Sequence, residues 1–485
     1  MIHPISYTIF SHAPGISGSP PLGHSSAMRG RRLPSPSMFE TVILGAGPAG
    51  TGPLVWAARA GLLNDWLQRG VALVDRRAAM GGTIGKYALN ADTQAGTFLE
   101  CLQGGAADSP LAELRPCDEA HDLSACTAET PPLPMVGRFL DRLGVTLAAE
   151  LAGAPRSRFF GGMEATSVQC CRDGSVLADL AGAGGQRLSV RAASAVLALG
   201  GRQTSWRNAE LQPGIRLDRW QRKILPSDRL MAHGGAELAN RMLSRGRRPL
   251  AVIVGGSHSA FSAAWTLLEQ MPALRFSPDG VLLLYRSSPR VFYPSREEAL
   301  ADGYRFTDAD VCQATGRVHR LGGLRGDGRQ VWRRSQHRDG TPRDPRFLPR
   351  ALADVAPDEL DRLLDAADLI IPSFGYRLRT VPVRAADGTL IRLARGGPSV
   401  DGQARLLTEH GTPLPNIFGV GLGSGFRPWG AMGGEASFHG QQNSLWLYQN
   451  GLGALIHDGV SRAAEQFRAP AESASEPEPL LQVAG

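Results

Sequence analysis

The sequence predicts an α/β fold with two parallel-sheet domains, the second of which is inserted into the first. Three observations predict this fold. Apolar segments of strand length alternate with helical segments, and the succession strand, glycine-rich turn, helix occurs twice, about 210 residues apart. A further apolar strand that ends in glycine follows the second unit, so the first domain resumes after the second.

The elements of the first unit are a buried strand, a helix and two more strands. They are predicted at Thr41–Leu44, Ala49–Ala60, Val71–Asp75 and Ala195–Leu199. The second unit repeats the pattern with a strand, a helix and two strands, predicted at Leu250–Val254, Ala260–Gln270, Val281–Tyr285 and Asp368–Ile371. The last strand is predicted at Ile417–Val420 and a helix at Glu435–Gln449.

These units define the predicted domains. The first domain is discontinuous and spans residues 38–214 and 377–467, and the second spans residues 215–376. Residues 1–37 are rich in Ser, Pro, Gly and His and are predicted to be a disordered leader, or sequence upstream of a natural start at Met28 or Met38. Residues 468–485, rich in Pro, Glu and Ser, are predicted to be a disordered tail.

The composition is that of a globular protein, with 42% hydrophobic and 20% charged residues and no apolar run long enough for a membrane span. The net charge of +7 comes almost wholly from arginine, because Lys86 and Lys223 are the only lysines. The dense run Arg317–Arg350 holds ten arginines but is broken by Asp327, Asp339 and Asp344. It therefore predicts a solvated face or the rim of an anion site rather than nucleic-acid binding.

The six cysteines include no pair at CxxC spacing. This pattern predicts a reduced, cytoplasmic protein without a zinc site or a redox dithiol. The sequence also contains no GxSxG or HExxH motif and no cluster at metal-ligand spacing. No metal is therefore expected.

The first glycine turn has the sequence Val-Ile-Leu-Gly-Ala-Gly-Pro-Ala-Gly over residues 42–50. Gly45 permits the tight turn, Gly47 lets the backbone approach a pyrophosphate, and Gly50 lets helix and strand pack closely. A pyrophosphate would lie at the helix N-terminus beside Pro48 and Ala49, where free N–H groups and the helix dipole favour negative charge. The alternative is a glycine turn that only reverses the chain.

Residues beyond the next strand favour a dinucleotide at this turn. Asp75 ends that strand, where an acid hydrogen-bonds a ribose hydroxyl, and Arg76 follows it. Gly81–Gly82 resembles the glycine pair that lets the chain of two-dinucleotide flavoproteins pass close to FAD. The strand that ends at Gly200 resembles their Ala-x-Gly crossing between domains. These resemblances imply FAD at the first turn, with Gly421 as a further contact.

The second glycine turn, Gly255–Ala260, has a looser form. Ser257 replaces the middle glycine and Ala260 the third, while Gly256 and Ser259 complete the turn. Because the replacing residues are small, we expect a phosphate to approach this turn as well.

The strand after the second turn ends in Arg286, where the first unit has an acid, and Arg290 follows. An arginine at this position suits a 2′-phosphate and has no role beside a bare ribose diol, so NADPH is favoured over NADH. The alternative is that these are two ordinary arginines of an arginine-rich chain.

The order of these motifs resembles that of single-component flavin-dependent monooxygenases, and among them the amine N-hydroxylases of the lysine/ornithine type. The likeness rests on short motifs spread over most of residues 40–455. It implies that Gly375 and Tyr376 belong to the NADPH site, although Ser373-Phe374-Gly375-Tyr376 replaces the family's Ala-Thr-Gly-Tyr. The FxGxxxH fingerprint of flavin-containing and Baeyer–Villiger monooxygenases is absent, as is the Gly-Asp of many disulfide reductases.

The resemblance implies the chemistry. NADPH would reduce FAD by hydride transfer, the reduced flavin would capture oxygen as a C4a-(hydro)peroxide, and a nucleophilic amine or amino acid would attack it. The partners would be a small-molecule substrate and molecular oxygen, and the formation of a homo-oligomer is left open. An FAD/NAD(P)H reductase or dehydrogenase without oxygen insertion is the alternative enzyme, and a flavin-binding regulatory or scaffold protein the alternative without catalysis.

Candidate substrate or flavin contacts are Arg427, Trp429 and Glu435, because the region after the last nucleotide strand approaches the flavin ring in such folds. The alternative is a glycine-rich cap with a buried tryptophan. Two further segments, Lys86–Gln94 and Arg296–Arg350, either shape the substrate pocket or are ordinary architecture.

Overall fold

The computed structural model describes residues 38–105, 109–244, 248–336, 342–395, 397–439 and 444–468, the last of these residues without its side chain. The predicted leader lies outside the described residues, as does the predicted tail beyond its first residue.

The strands follow the apolar segments of the sequence. They are β1 (Phe39–Leu44), β2 (Val71–Asp75), β3 (Arg158–Gly161), β4 (Met163–Cys170), β5 (Val176–Gly182), β6 (Arg187–Leu197), β7 (Gly201–Gln203), β8 (Glu210–Gln212), β9 (Ile215–Arg216), β10 (Ala251–Val254), β11 (Val281–Tyr285), β12 (Phe347–Ala351), β13 (Leu369–Pro372), β14 (Tyr376–Leu378), β15 (Val383–Arg384), β16 (Leu390–Ile391), β17 (Arg405–Leu407) and β18 (Pro413–Gly419).

The helices connect and cover these strands. They are α1 (Pro48–Arg59), α2 (Leu63–Arg69), α3 (Ala95–Leu99), α4 (Asp118–Ser124), α5 (Leu133–Gly153), α6 (Ser227–Leu230), α7 (Gly235–Leu243), α8 (His258–Glu269), α9 (Arg296–Ala301), α10 (Gly326–Ser335), α11 (Pro357–Ala366), α12 (Leu445–Tyr448) and α13 (Gly451–Arg468).

The larger sheet is centred on β1, which lies parallel to β2 on one side and to β6 on the other. Its order is β16-β15-β4-β5-β6-β1-β2-β3, and β18 pairs in parallel with the end of β6. Because β1 is buried from Glu40 to Leu44, it needs cover on both faces. The cover comes from α1, α5 and α13, which contribute Leu54, Leu147 and Ile456 to the same buried core.

The smaller sheet has the order β12-β11-β10-β13, and its strands are parallel. The residues of β10 alternate between two cores. Ala251 and Ile253 pack with Phe261 of α8 on one face, and Val252 and Val254 pack with α11 on the other. Two helix-covered parallel sheets confirm the predicted fold class.

The chain enters and leaves the smaller sheet at one place. β7 lies at the entrance and β14 at the exit, and the two strands pair antiparallel with Gln203 opposite Tyr376 and Gly201 opposite Leu378. The second parallel sheet is therefore inserted into the first, as predicted. The residue boundaries proposed for the two domains remain a prediction.

Residues 286–336, between β11 and β12, form a segment that we call the inserted lobe. It has a small core of its own, made of Val291, Tyr293, Ala299, Val311 and Val318. Arg296–Arg350 was predicted to shape a pocket or to be ordinary architecture, and part of the lobe does line the main cleft.

The helix predicted at Glu435–Gln449 is wrong over its first part. After β18 the chain makes a single 3₁₀ turn at Gly430–Met432 and then continues without helix through His439. Glu435 and Ser437 are instead bound to the inserted lobe, since the N–H of Ser437 donates to the carbonyl of Ala309 at 2.8 Å and Glu435 accepts from the N–H of Leu321. Among the described residues, the next helices are the short α12 and α13.

No helix in the described part of the chain combines the length and the apolar character that a membrane crossing requires.

Candidate active site

A cleft of about 2500 Å³ lies between the two parallel sheets. Its walls come from the first glycine turn, the second glycine turn, the inserted lobe and the segment after β18. A site for one small molecule occupies roughly 300–1,000 Å³. The cleft therefore has room for more than one extended ligand.

The first glycine turn is packed too tightly for side chains. A Cβ added to Gly45, whose φ is +111°, would lie 2.3 Å from the carbonyl oxygen of Ala198, and one added to Gly50 would lie 1.8 Å from that of Gly45. A Cβ on Gly47 would lie 3.6 Å from the Cα of Gly82. Gly45 and Gly50 are thus fixed by close packing, whereas Gly47 makes only an ordinary van der Waals contact with Gly82, and its approach to a pyrophosphate stays a prediction.

The helices that follow both glycine turns leave their N-termini open. At the start of α1 the N-cap is Gly47, without a capping side chain, and the first turn holds no acid. At the start of α8 the N-cap Ser257 makes no side-chain cap bond, and the first turn again holds no acid. By contrast, α4 and α11 carry acids in their first turns. The free N–H groups and positive dipole ends of α1 and α8 thus suit phosphate groups.

Asp75 lies at the end of β2 and supports the first turn. Its carboxylate accepts hydrogen bonds from the backbone N–H of Ala46 at 2.7 Å and of Arg77 at 2.8 Å. Gly81 N–H in turn donates to the carbonyl of Ala46 at 3.0 Å. Arg76 has an exposed side chain, whereas the guanidinium of Arg77 donates to the carbonyl of Gly82.

The other predicted FAD contacts lie in two places, beside the start of α1 and just before β7. Gly421 adjoins the first turn, since a Cβ there would lie 3.2 Å from that of Ala49, and its φ is +102°. Pro48 of the same helix lines the cleft. Gly200, with a φ of +75°, lies just before the β7 crossing and accepts a bond from the N–H of Arg379 at 2.9 Å.

The second glycine turn has the same close approach on its own sheet. A Cβ on Gly255 would lie 2.6 Å from the carbonyl oxygen of Ser373, and one on Gly256 would lie 2.8 Å from the Cβ of Tyr285. The hydroxyl of Ser373 is buried without a hydrogen-bond partner among the described residues. Ser373 also lines the cleft, so its hydroxyl can meet a ligand at this turn.

The remaining predicted NADPH residues surround this turn. Ser257, Ser259 and Arg286 line the cleft, and Arg286 is exposed there, whereas Ala260 is fully buried. Arg290 also lines the cleft but donates to the carbonyl of Ser437 at 2.9 Å. The two arginines thus have different surroundings, and Arg286 is the freer to meet a ligand.

Tyr376 belongs to a polar cluster that sequence reasoning missed. The hydroxyls of Tyr87 and Tyr376 both donate to the carboxylate of Asp228, the second at 3.2 Å, and Lys86 Nζ lies 3.9 Å from the same group. Burial raises the pKa of both tyrosines, and Asp228 raises it further. Gly375, with a φ of +71°, precedes this cluster. The cluster joins three chain segments beside the cleft.

The segment after β18, residues 423–438, is the Gly-rich segment. Arg427 is exposed on the cleft wall. Trp429 is 51% exposed and its Nε1 donates to the carbonyl of Gly402 at 2.8 Å, so a buried tryptophan, the alternative considered from the sequence, is wrong.

Glu435 connects the Gly-rich segment to the inserted lobe through hydrogen bonds. It is only 4% exposed, and its carboxylate accepts bonds from the backbone N–H groups of Leu321 and Gly322 at 3.0 Å. Arg320 Nη1 adds a bond to the carbonyl of Met432 at 2.8 Å. Glu435 therefore stabilises the cleft wall.

The cleft is strongly positive. Ten arginines line it against three acidic residues, Asp92, Glu100 and Glu210. Asp92 faces His258, the first residue of α8, across the cleft, with 3.8 Å between Oδ2 and Nε2. Burial lowers the pKa of His258 despite this carboxylate. An excess of guanidinium groups predicts anionic ligands.

Within the ranges that the structure describes, no three His, Cys, Asp or Glu side chains are grouped in a way that would hold a metal ion.

Comparison with known proteins gives one curated relative and several structures of the same fold. No protein-family model matches the chain. The CMP-5′-(3-aminopropyl)phosphonate hydroxylase of Streptomyces rubellomurinus is 33% identical over 435 residues, which are 86% of this chain and 96% of that protein.

Two solved structures share the architecture. The ornithine hydroxylase of Pseudomonas aeruginosa matches with a TM-score of 0.51 and 14% identity, over 88% of this chain and 100% of that one. The FAD-bound cadaverine monooxygenase of Erwinia amylovora matches with a TM-score of 0.50 and 11% identity, over 89% and 95%. At these identities the two likenesses concern the fold.

Proposed function

We propose that this chain hydroxylates the nitrogen of a primary amine. The premise is that it belongs to the same family of flavin-dependent monooxygenases as the Streptomyces hydroxylase. Membership of this family makes the chain an FAD- and NADPH-dependent oxidoreductase, as the sequence predicts. The proposed substrate resembles that of the relative, an amine on a short alkyl phosphonate joined to a nucleotide.

The observation that carries the proposal is the pair of open helix N-termini, on α1 and α8, beside one cleft. Two dinucleotides that share a cleft are what hydride transfer from NADPH to FAD requires. At α1 we assign the FAD pyrophosphate to the turn from Gly45 to Gly50, with Asp75 near the ribose and Gly81–Gly82 and Gly421 where the chain passes the cofactor.

At α8 we assign the NADPH pyrophosphate to the turn from Gly255 to Ala260, where the unpartnered hydroxyl of Ser373 offers a further hydrogen bond. Arg286 is assigned to the 2′-phosphate because it is exposed in the cleft at the end of β11. Arg290 supports the same wall through its bond to Ser437. Tyr376 is assigned a positioning role through Asp228.

FAD, when bound and reduced by NADPH, supplies the oxygen activation that the side chains lack. The reaction converts an amine, oxygen, NADPH and one proton into a hydroxylamine, NADP⁺ and water. The nitrogen must be uncharged to act as a nucleophile. The arginine excess of the cleft favours this state, because nearby positive charges lower the pKa of an ammonium group.

Cytoplasmic location forms part of the same proposal. All six cysteines are free, which suits a reducing compartment in which NADPH is also available.

The test uses the FAD-loaded enzyme with NADPH and the CMP ester of 3-aminopropylphosphonate under ¹⁸O₂. We expect one ¹⁸O atom in a hydroxylamine product, with one NADPH consumed per product molecule. Butylamine, ornithine and lysine serve as alternative amines in parallel reactions. If NADPH is oxidised and ¹⁸O appears only in hydrogen peroxide with every amine, the proposed hydroxylation is wrong and the chain is an oxidase or reductase.

A further inference from the structure

Three arginines of the inserted lobe, Arg317, Arg320 and Arg325, line the cleft together. We call them the arginine cluster. They lie in the segment between Cys312 and α10, which follows the strand-ending Arg286 by some thirty positions. Because the arginine cluster is far from the second glycine turn along the chain, the anion that it binds need not be the NADPH phosphate.

The guanidinium groups of the cluster are held by carbonyls and aromatic rings. Arg325 lies over the ring of Phe292, 3.9 Å from its centroid, and donates to the carbonyl of Arg320 at 2.5 Å. Arg320 lies 5.3 Å from the ring centroid of Trp446 in addition to its bond to Met432. These contacts fix the positions of two charges without neutralising them.

Other arginines of the same lobe are paired with acids. Arg333 lies 3.2 Å from Asp302, and Arg296 lies 2.7 Å from Asp308. In the described part of the chain, none of the three cluster arginines forms such an ion pair. Glu435, a buried acid in the same wall, already accepts bonds from two backbone N–H groups.

Unpaired guanidinium groups in a partly buried wall cost free energy that an anion would offset. Burial lowers the pKa of Arg325, and the charges of Arg317 and Arg320 lower it further, against the opposing effect of Asp92. Mutual repulsion of this kind is relieved when a ligand with more than one negative charge binds. A phosphate or phosphonate group carries up to two charges and several acceptor oxygens, whereas a carboxylate carries one charge.

We propose that the arginine cluster binds the phosphate or phosphonate oxyanion of the carrier that presents the substrate amine. This inference rests on the proposed function and assigns residues to substrate selection, apart from the NADPH contact given to Arg286. The enzyme would then select amines on phosphorylated carriers over free amino acids, and binding of the oxyanion would place the amine in the cleft.

The experiment measures binding and kinetics separately. Arg320→Gln and Arg325→Gln are titrated, as FAD-loaded enzymes without NADPH, with CMP, with 3-aminopropylphosphonate and with its CMP ester. We expect each variant to lose roughly 10- to 100-fold in affinity for the CMP ester, the loss typical of a hydrogen bond to a charged group. Loss for CMP alone locates the nucleotide phosphate at the cluster, and loss for 3-aminopropylphosphonate alone locates the phosphonate there.

Two control variants and one substitute test variant keep the test specific. Arg296→Gln, on the same lobe but paired with Asp308, should bind all three probes like the wild type. Arg286→Ala should raise the KM for NADPH and leave binding of the probes unchanged. Arg317→Gln alters an exposed residue and replaces the other variants if they fail to fold or to retain FAD.

The outcomes separate the two proposals. Wild-type affinity of the cluster variants for all three probes, or a loss confined to NADPH, overturns the arginine cluster as a substrate subsite. Specific loss of probe binding in an enzyme that makes no hydroxylamine with any amine retains the subsite and overturns the proposed hydroxylation. Hydroxylamine formation with unchanged probe affinity retains the proposed hydroxylation and overturns the subsite.

Discussion

The two glycine turns have the same architecture but are followed by different residues. Both follow a buried parallel strand and both open a helix without a capping side chain or an acid in its first turn. The first has Pro48 at the first helical position and Asp75 at the end of β2. The second has His258 at the first helical position and Tyr285 at the end of β11, and Arg286 follows. We expect the shared part to bind phosphate and the residues at the end of the following strand to select between a ribose diol and a phosphate.

The turns differ in tightness as well. The first uses three glycines, and a Cβ at Gly50 would lie 1.8 Å from a carbonyl oxygen. The second replaces two of them with Ser257 and Ala260, and Ala260 is nevertheless fully buried. This difference teaches that close helix–strand packing is indispensable at the first turn, whereas the second tolerates a methyl group at the equivalent position.

The largest effect is expected from Gly50→Ala. Its new methyl group must displace the backbone of the first turn, so we expect nearly complete loss of bound FAD and about 3 kcal/mol of unfolding free energy. Flavin absorbance of the purified protein and thermal unfolding measure both. Gly153→Ala, where a Cβ meets nothing within 4 Å, should retain FAD. Full flavin content in Gly50→Ala would contradict the distinction between the turns.

Arg286→Ala comes next. If Arg286 holds the 2′-phosphate, its loss should raise the KM for NADPH about 10- to 100-fold while the KM for NADH stays unchanged. Steady-state kinetics with both cofactors measures the preference, and NADH serves as the internal control. An unchanged NADPH preference would remove Arg286 from the second site.

Asp75→Asn tests the acid that ends β2 in the first unit. The carboxylate holds the N–H groups of Ala46 and Arg77, and an amide keeps one acceptor oxygen but loses the charge. We expect FAD affinity to fall about tenfold, with the NADPH preference unchanged. Titration of the apoenzyme with FAD measures the affinity. Asp65→Asn, outside the turn, is the matched control and should bind FAD like the wild type.

His258→Gln should have the smallest effect, and it should depend on pH. Burial lowers the pKa of His258 in the folded protein, so below the unfolded-state value of about 6.5 the unfolded chain takes up a proton that the folded chain does not. Folding stability therefore falls as the pH decreases from about 7, and the variant should lose less stability over this range.

Denaturant unfolding at pH 7.5 and 5.5 measures this difference. His410→Gln, in which an exposed histidine is replaced, should keep the wild-type pH dependence. An acid sensitivity of His258→Gln equal to that of the wild type would show that His258 is not the group responsible.

The sequence predicted the parts of the fold that are local. The first turn and β2 follow from contiguous residues, because a buried strand, a glycine pattern and a strand-ending acid need no long-range contact to be recognised. The helix predicted from Glu435 failed because Glu435 and the backbone N–H of Ser437 are bound by the distant inserted lobe, which no local pattern shows.

The candidate site was less predictable because its polar clusters join distant positions. Tyr87 and Asp228 are 141 positions apart, and no pattern in the sequence pairs them. Arg320 and Arg325 stood within a conspicuous arginine run, but whether an arginine has an acidic partner is a property of the tertiary structure. The dense arginine run was the one signal in the sequence for this cluster. It left open whether the run is a solvated face or the rim of an anion site.

The pairing of β7 with β14 has a consequence for the evolution and engineering of this chain. Since Gln203 lies opposite Tyr376, the two described chain segments by which the chain enters and leaves the smaller sheet are neighbours in an antiparallel ribbon. A two-residue hairpin turn placed there would reconnect the first sheet without rethreading any strand. The second sheet and its lobe are thus a cassette, which can be gained, exchanged or removed at a single junction.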